Sequence, residues 1–254
     1  MKIISLINQK GGVGKTTSAI NIASKLSEKF KVLAVDLDQQ ANATGNCGID
    51  EDQLEFTMYN LFTEKEVTAE QCIVKTSKGF DLICGSIELA NVTTNLSNVP
   101  NRERIMKKKF KHLDELYDYI ILDCGPSFDL STMNALVISD LALIPMEAHK
   151  FSVKGIKNIL DFLDIIKEEF NETLEHKFFI TKYDGRINSF KEIDTMLRES
   201  LEDSILKTRI RLDTQIRTTQ NDDKTIFEVK SSKSSQDYSD LVQEVFNVWY
   251  EQFN

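Results

Sequence analysis

The chain is short of the residues that mark linkers, disulfide scaffolds and membrane spans. Its 254 residues include 3 prolines and 10 glycines, and no Pro-, Gly- or Ser-rich stretch divides it. Apolar strand candidates recur along most of its length, so one α/β domain over residues 1–254 is expected. The 4 cysteines, Cys47, Cys72, Cys84 and Cys124, form no CxxC pair and have no metal-ligand spacing. That excludes a disulfide framework or zinc module and predicts reduced thiols in a reducing compartment. No apolar run reaches membrane-spanning length, and the N-terminus enters a strand directly instead of a signal peptide, so a cytosolic location is expected. Basic residues are outnumbered, with 31 Lys and Arg against 40 Asp and Glu, for a net charge of −9. This balance argues against a uniformly basic protein that coats nucleic acid, while a local basic face stays open. Internal repeats and low-complexity tracts are lacking too.

What is present is sharp. Residues Lys10 to Thr17 read KGGVGKTT, after the apolar run Ile3-Ile4-Ser5-Leu6-Ile7 and ahead of a segment with helical spacing. Backbone N–H groups of Gly11, Gly12, Val13 and Gly14 can wrap an anionic phosphate, because glycine tolerates positive φ and close approach, and the helix N-terminus adds its positive dipole end. Lys15 would reach the β and γ phosphates, Thr16 would sit on Mg²⁺, and Thr17 completes the ATP-binding set. The usual motif wants glycine at position 9, where this chain has Gln9 followed by Lys10. The loop is therefore the deviant Walker A form, KGGxGK[ST]. A solvated lysine beside the loop is the plain alternative for Lys10.

Periodicity places the other parts. Ala19, Ile22, Ala23 and Leu26 repeat at helical spacing, and Val32 to Val35 reads as a buried parallel strand ending in Asp36-Leu37-Asp38. Further strands are expected at Phe80 to Ile83, Tyr119 to Leu122, Leu141 to Ile144 and Phe178 to Ile180, with helical segments such as Arg102 to Leu116 and Ser152 to Glu169 between them. This alternation predicts a single doubly wound, mostly parallel sheet with helices on both faces and a ligand outside the carboxyl ends of its strands. A last helix carries Tyr238, Leu241, Val242, Val245 and Trp249 on one face. Tyr119-Ile120-Ile121-Leu122-Asp123 is a hydrophobic strand ending in a carboxylate, the Walker B arrangement that orients Mg²⁺ or its water shell. Buried strands often end in Asp at a loop, so the P-loop upstream gives this one its meaning. Asp38 is a candidate for positioning the attacking water, and Asp36 reads equally as a structural end-of-strand carboxylate.

These residues resemble a known group. KGGVGKTT, DLDQQANAT from Asp36 to Thr44, DYIILDCGPS from Asp118 to Ser127, TKYDGRIN from Thr181 to Asn188 and the late KTIFEVKSSKSSQDY from Lys224 to Tyr238 look like the ParA/Soj family of chromosome and plasmid partition ATPases, in order and over essentially the whole chain. The resemblance implies ATP and Mg²⁺ as cofactors and an ATP-dependent homodimer with two nucleotides sandwiched between protomers. It makes Lys10 the signature lysine reaching across to the partner's ATP, Lys15 the P-loop lysine, Thr16 the Mg²⁺ ligand, Asp38 the catalytic carboxylate and Asp123 the Walker B residue. It also implies a ParB-type centromere-binding partner that stimulates hydrolysis, non-specific binding to double-stranded DNA, and a cytoplasmic protein associated with the nucleoid.

Some positions depart from the family pattern. Gln39 stands where proline is usual, Ala41 where glycine is, and Gly125-Pro126 replaces a double proline; altered loop stiffness is expected, with the chemistry retained. A proline-containing stretch that helps enclose the adenine is replaced by residues Ile210 to Gln215, which leaves the adenine contacts open. The chain starts at its first strand, so no helix-turn-helix region is expected ahead of it, nor repression of its own promoter. Candidates for DNA are Arg186, Lys191, Lys207, Arg209, Arg211 and Arg217, with Arg186 and Arg217 expected outside the nucleotide site. A second cluster, Lys107-Lys108-Lys109 with Lys111, reads more simply as a solvated helix face. Two other classes share part of this pattern. A MinD-type positioning ATPase on a membrane or protein track shares the deviant loop but ends in a basic amphipathic helix, whereas this chain ends with Asp237, Asp240, Glu244 and Glu251 and no Lys or Arg after Lys233. An iron–sulfur carrier would need interface cysteines, and Cys124 alone lies near the nucleotide motif. No membrane association is expected.

Overall fold

The computed structural model describes residues 1–148, 152–229 and 232–250. Lys230 and Ser231, within the late family stretch, and the side chain of Trp249 lie outside the described residues. Strands β1 (Lys2–Leu6), β2 (Val32–Leu37), β3 (Ile73–Lys75), β4 (Asp81–Ile83), β5 (Tyr119–Cys124), β6 (Leu141–Glu147), β7 (Glu175–Tyr183) and β8 (Ile205–Arg211) form one sheet in the order β3-β4-β2-β5-β1-β6-β7-β8. All neighbours pair in parallel except β3 and β4. The helices are α1 (Lys15–Ser27), α2 (Asn42–Asn46), α3 (Met58–Thr63), α4 (Val92–Asn95), α5 (Ile105–Lys109), α6 (Leu130–Ile138), α7 (Ser152–Glu169), α8 (Asn188–Leu201), α9 (Thr214–Asn221) and α10 (Lys233–Tyr250).

The sheet separates two apolar cores by strand parity. Leu33, Val35 and Leu37 of β2, Ile120 and Leu122 of β5, and Ala142 and Ile144 of β6 face one core, with α3, α6 and α7 over it. The alternate residues Val32 and Ala34, Ile121, and Leu141 and Leu143 face the other, under α1 and the Tyr238, Leu241 and Val245 face of α10. Successive side chains on a strand point to opposite faces. By the same count Asp36 and Asp38 after Ala34, and Asp123 after Ile121, come out on the α1 side, where the P-loop lies. The mostly parallel, doubly wound sheet is thus present, and the loops leaving the carboxyl ends of the seven parallel strands open on one rim, with β3 alone running the other way.

Three segments differ from expectation. Residues Arg102 to Leu116 do not make one helix; α5 is flanked by single 3₁₀ turns at Arg102–Arg104 and Leu113–Glu115. The chain leaves helical geometry at Phe110, which is buried, and Lys109 donates to the carbonyls of Glu64 and Lys65 at 2.9 Å each. Lys109 is therefore tied to the end of α3 instead of standing on a solvated face. The second difference is β3, three residues long and too brief to show a period. The third is β8, an edge strand whose exposed positions carry Lys207 and Arg211. Its outer N–H groups at Lys207 and Thr208 donate to Glu244 of α10 at 2.6 and 2.8 Å, which caps an edge that would otherwise be open to pairing. The acidic character of the last helix thus has a local use.

Candidate functional site

At the end of β1 the chain turns through Asn8 and Gln9 into the loop Lys10 to Gly14, and α1 begins at Lys15. Gly14 is left-handed at φ 96°, and the first turn of α1 has no acidic residue and no side-chain cap. Its leading N–H groups are left for an anion. The loop is fixed from behind. The Asn8 amide donates to the Pro145 carbonyl at 2.8 Å, and its oxygen accepts from the Lys10 N–H at 2.9 Å. The Thr181 hydroxyl at the end of β7 donates to the Val13 carbonyl at 2.8 Å, and the Lys182 ammonium donates to the Gly12 carbonyl. Such anchoring sets the cradle before any ligand arrives.

Three acidic groups stand below the cradle. Asp36 and Asp123 are register partners on β2 and β5. Asp36 is fully buried and accepts from the Thr44 N–H at 2.9 Å, the Thr44 hydroxyl at 2.8 Å and the Asp38 N–H at 3.1 Å. Its bonds go to Asp38 and to Thr44 of α2, the two ends of the turn after β2, so Asp36 serves that turn as a structural carboxylate. Gly85 allows this packing, because a Cβ there would meet the Asp36 carboxyl carbon at 2.9 Å. Asp38 lies beside Gly125 of the loop after β5 and accepts from the Gln40 N–H at 3.0 Å, on the wall of the cleft.

Asp123 is different. Neither of its carboxylate oxygens receives a well-formed hydrogen bond among the described residues, although the Thr16 hydroxyl lies beside it and favours its charged form. Burial and the neighbouring Asp36 push its pKa well above the carboxylate range, and burial pushes up that of Asp36 as well. A buried carboxylate with no partner is costly. A divalent cation shared with Thr16 would satisfy it, so the residues fit Mg²⁺. The Lys15 ammonium is lowered by burial and partly restored by Asp123 and Asp38, which places the three charges in one electrostatic unit.

Above these groups a cleft of about 780 Å³ opens. Gly11, Gly12, Gly14, Lys15, Thr16, Thr17 and Asp38 line its inner end, and Leu212, Ile216, Arg217 and Gln220 its outer end. The Gln220 amide reaches back to donate to the Thr17 hydroxyl at 2.7 Å. Lys10 does not line this cleft; its side chain is 52% exposed, its ammonium is on Glu147, and with Asn8 and Val13 the two border a separate small cavity. The basic candidates are scattered over several environments. Arg209 pairs with Asp194 and lies over the Tyr183 ring, and Arg211 pairs with Asp237 at 2.5 Å. These two guanidinium groups tie β8 to α8 and α10. Arg186 is paired to Asp184 at 2.7 Å yet stays 89% exposed, and Lys191 is exposed on α8. Arg217, expected away from the nucleotide site, instead stands on the cleft wall, because α9 folds back over the P-loop helix.

Sequence reasoning did not find Asn8, Thr44, Glu147, Lys182 or Gln220. Thr181 and Lys182 stand in the quoted TKYDGRIN stretch, but no spacing says that their partners lie on the P-loop. Cys124 is fully buried and its thiol is pushed well up by that burial, so it presents no ligand to a surface. No described helix is long and apolar enough to cross a membrane.

A family model described as an AAA domain matches residues 1–176. The sporulation initiation inhibitor protein Soj of Bacillus subtilis is 31% identical over 247 residues, covering 96% of this chain and 98% of that protein. Among solved structures, the Borrelia burgdorferi plasmid partition protein bound to AMPPNP is 27% identical with a TM-score of 0.83, covering 97% of this chain and 98% of that one. The cobyrinic acid a,c-diamide synthase of Mycobacterium smegmatis, with a bound ATP analogue and magnesium, is 25% identical with a TM-score of 0.87, covering 98% and 96%. The fold is therefore shared by enzymes of different chemistry, and the assignment rests on the near-complete sequence match joined to the deviant P-loop. With buried carboxylates on β2 and β5, the phosphate cradle after β1 and Lys10 of that loop turned to Glu147 on β6, neighbours along one sheet rim, the chain belongs to the ParA/Soj family of P-loop partition ATPases.

Proposed function

We propose that this chain is an Mg²⁺-dependent ATPase that dimerises around two ATP molecules, binds nucleoid DNA without sequence preference and segregates DNA with a ParB-type partner. The observation that carries the reading is the pairing of a pre-anchored phosphate cradle with the orphaned carboxylate of Asp123 beside Thr16. That the Soj and Borrelia relatives span nearly the whole chain supports the choice of partition.

Phosphate oxygens are received by the N–H groups of Gly11 to Gly14 and by the Lys15 ammonium. Thr16 and Asp123 would hold Mg²⁺, which would supply positive charge against the phosphates. Asp38 orients the attacking water, and Asp36 holds the Asp38 loop in place. Lys10 answers the charge of the partner's nucleotide, converting repulsion between two facing ATP molecules into attraction. Loss of the γ phosphate then weakens the dimer, so hydrolysis times association. Arg186 and Lys191 are assigned to the DNA face, and a dimer doubles the charge it presents.

DNA binding tests this. The ATP form should bind duplex of any sequence, the ADP form should not, and affinity should fall with a log–log salt slope of about −0.9 per phosphate contact. Arg186→Glu should weaken binding and flatten that slope while ATP-driven dimerisation persists. An ATP dimer that ignores DNA even at low salt would replace the partition reading with a positioning ATPase on a protein track.

A further inference from the structure

One carboxylate at the rim of the cradle serves two lysines. Glu147 ends β6 with a side chain only 12% exposed; its Oε2 takes the Lys10 ammonium, and its Oε1 takes the Lys182 ammonium at 2.7 Å. Lys182 also donates to the Gly12 carbonyl, so a single side chain touches both the P-loop and the carboxylate. Its backbone is left-handed, φ 52°, a conformation that non-glycine residues avoid and that persists only where surroundings impose it. The imposition is visible in Thr181, pinned to Val13 one residue earlier. Burial would raise the Glu147 carboxyl, but hydrogen bonds from Lys10 and Lys182 hold it below the usual carboxylate range, so the cluster carries an ionised carboxylate at neutral pH.

In the sandwich dimer Lys10 has to leave Glu147 to reach a partner's phosphates. A carboxylate with so little access to water resists losing its counter-ion, since an unpaired charge there is far less stable than a paired one. A second ammonium already on the other oxygen removes most of that resistance. We propose that Lys182 is a positioning residue, the resident counter-ion of Glu147, which frees Lys10 to exchange between Glu147 of its own chain and the nucleotide of a second copy. This rests on the reading of Lys10 given under Proposed function.

Lys182→Met keeps length and removes charge, and Glu147→Gln removes the carboxylate's charge at constant shape. In the full chain, Lys182→Met should weaken the ATP-driven dimer by about tenfold more than it weakens binding of a fluorescent ATP analogue to the monomer. Combining it with Glu147→Gln should restore dimerisation to within about threefold of the parent chain, since no carboxylate then detains Lys10. Without nucleotide, acylation of Lys10 followed by mass spectrometry should slow in Lys182→Met and recover in the double variant. Parent-like dimerisation of Lys182→Met overturns the proposal, as does a double variant without rescue, which assigns Lys182 to the phosphates or to folding. A parent chain that stays monomeric on ATP overturns the sandwich and the exchange together. An unchanged Lys10 acylation rate in Lys182→Met overturns the coupling and leaves the sandwich standing.

Discussion

The two ends of the cleft are built by different means. The inner end stands over the middle of the sheet, on the loops leaving β1, β2, β5 and β7, and is held by buried hydrogen bonds such as Asn8 to Pro145, Thr181 to Val13 and Thr44 to Asp36. The outer end rests on edge strand β8 and α9, with Leu212 60% exposed. Recognition of phosphate needs fixed N–H groups and charges at set places, which only a rigid centre supplies. Recognition of a base face needs apolar surface of roughly the right shape, which an edge can supply with many side chains. The inner end is therefore rigid and particular, and the outer end adjustable.

The largest expected effect is at the inner end. Lys15→Ala removes a buried cation from a unit that includes Asp123 and Asp38, and should weaken binding of ATP and of tripolyphosphate alike by about 100-fold, near 3 kcal/mol, as titrated with a fluorescent analogue and by competition. Equal ATP affinity in parent and variant would break the comparison at its stronger side.

A smaller effect belongs to the outer end. Leu212→Ala removes apolar surface worth about 1 kcal/mol, so ATP should bind roughly fivefold more weakly while tripolyphosphate, which has no base, binds unchanged. Should tripolyphosphate lose as much as ATP, Leu212 supports the phosphate end and the division fails.

The smallest effect sharpens the picture of rigidity. Ala41 adopts φ 47° at the start of α2, in the loop that follows Asp38. Ala41→Gly relieves that left-handed alanine and should raise stability by about 0.5–1 kcal/mol in thermal or urea unfolding, with ATP affinity retained. A lower melting temperature would mean that the turn costs nothing with alanine in place.

How much of this was legible follows the same division. KGGVGKTT carries its geometry in its own residues, and the parity of Val32 to Asp38 and of Tyr119 to Asp123 fixes which carboxylates meet it. Ala41 is left-handed at φ 47°, the backbone that a glycine at this position would adopt without strain. The anchors Asn8, Thr181, Lys182 and Glu147 were not legible, because each acts on a residue more than a hundred positions away or across a turn, and no local period records that. The outer end stayed hidden because β8 is an edge strand whose charged residues read as surface. Two of those residues, Arg209 and Arg211, are spent on Asp194 and Asp237. The sequence spacing of basic residues carries no sign of such pairing.

The most direct test of the proposed function is the mass of the particle in solution. Light scattering on the full chain with Mg²⁺ should give a monomer without nucleotide and with ADP, and a dimer with ATP that is stabilised by Asp38→Ala. Lys10→Ala should bind ATP and remain monomeric. A Lys10→Ala chain that dimerises on ATP like its parent would contradict the account, since the charge that joins the two protomers would then have another source.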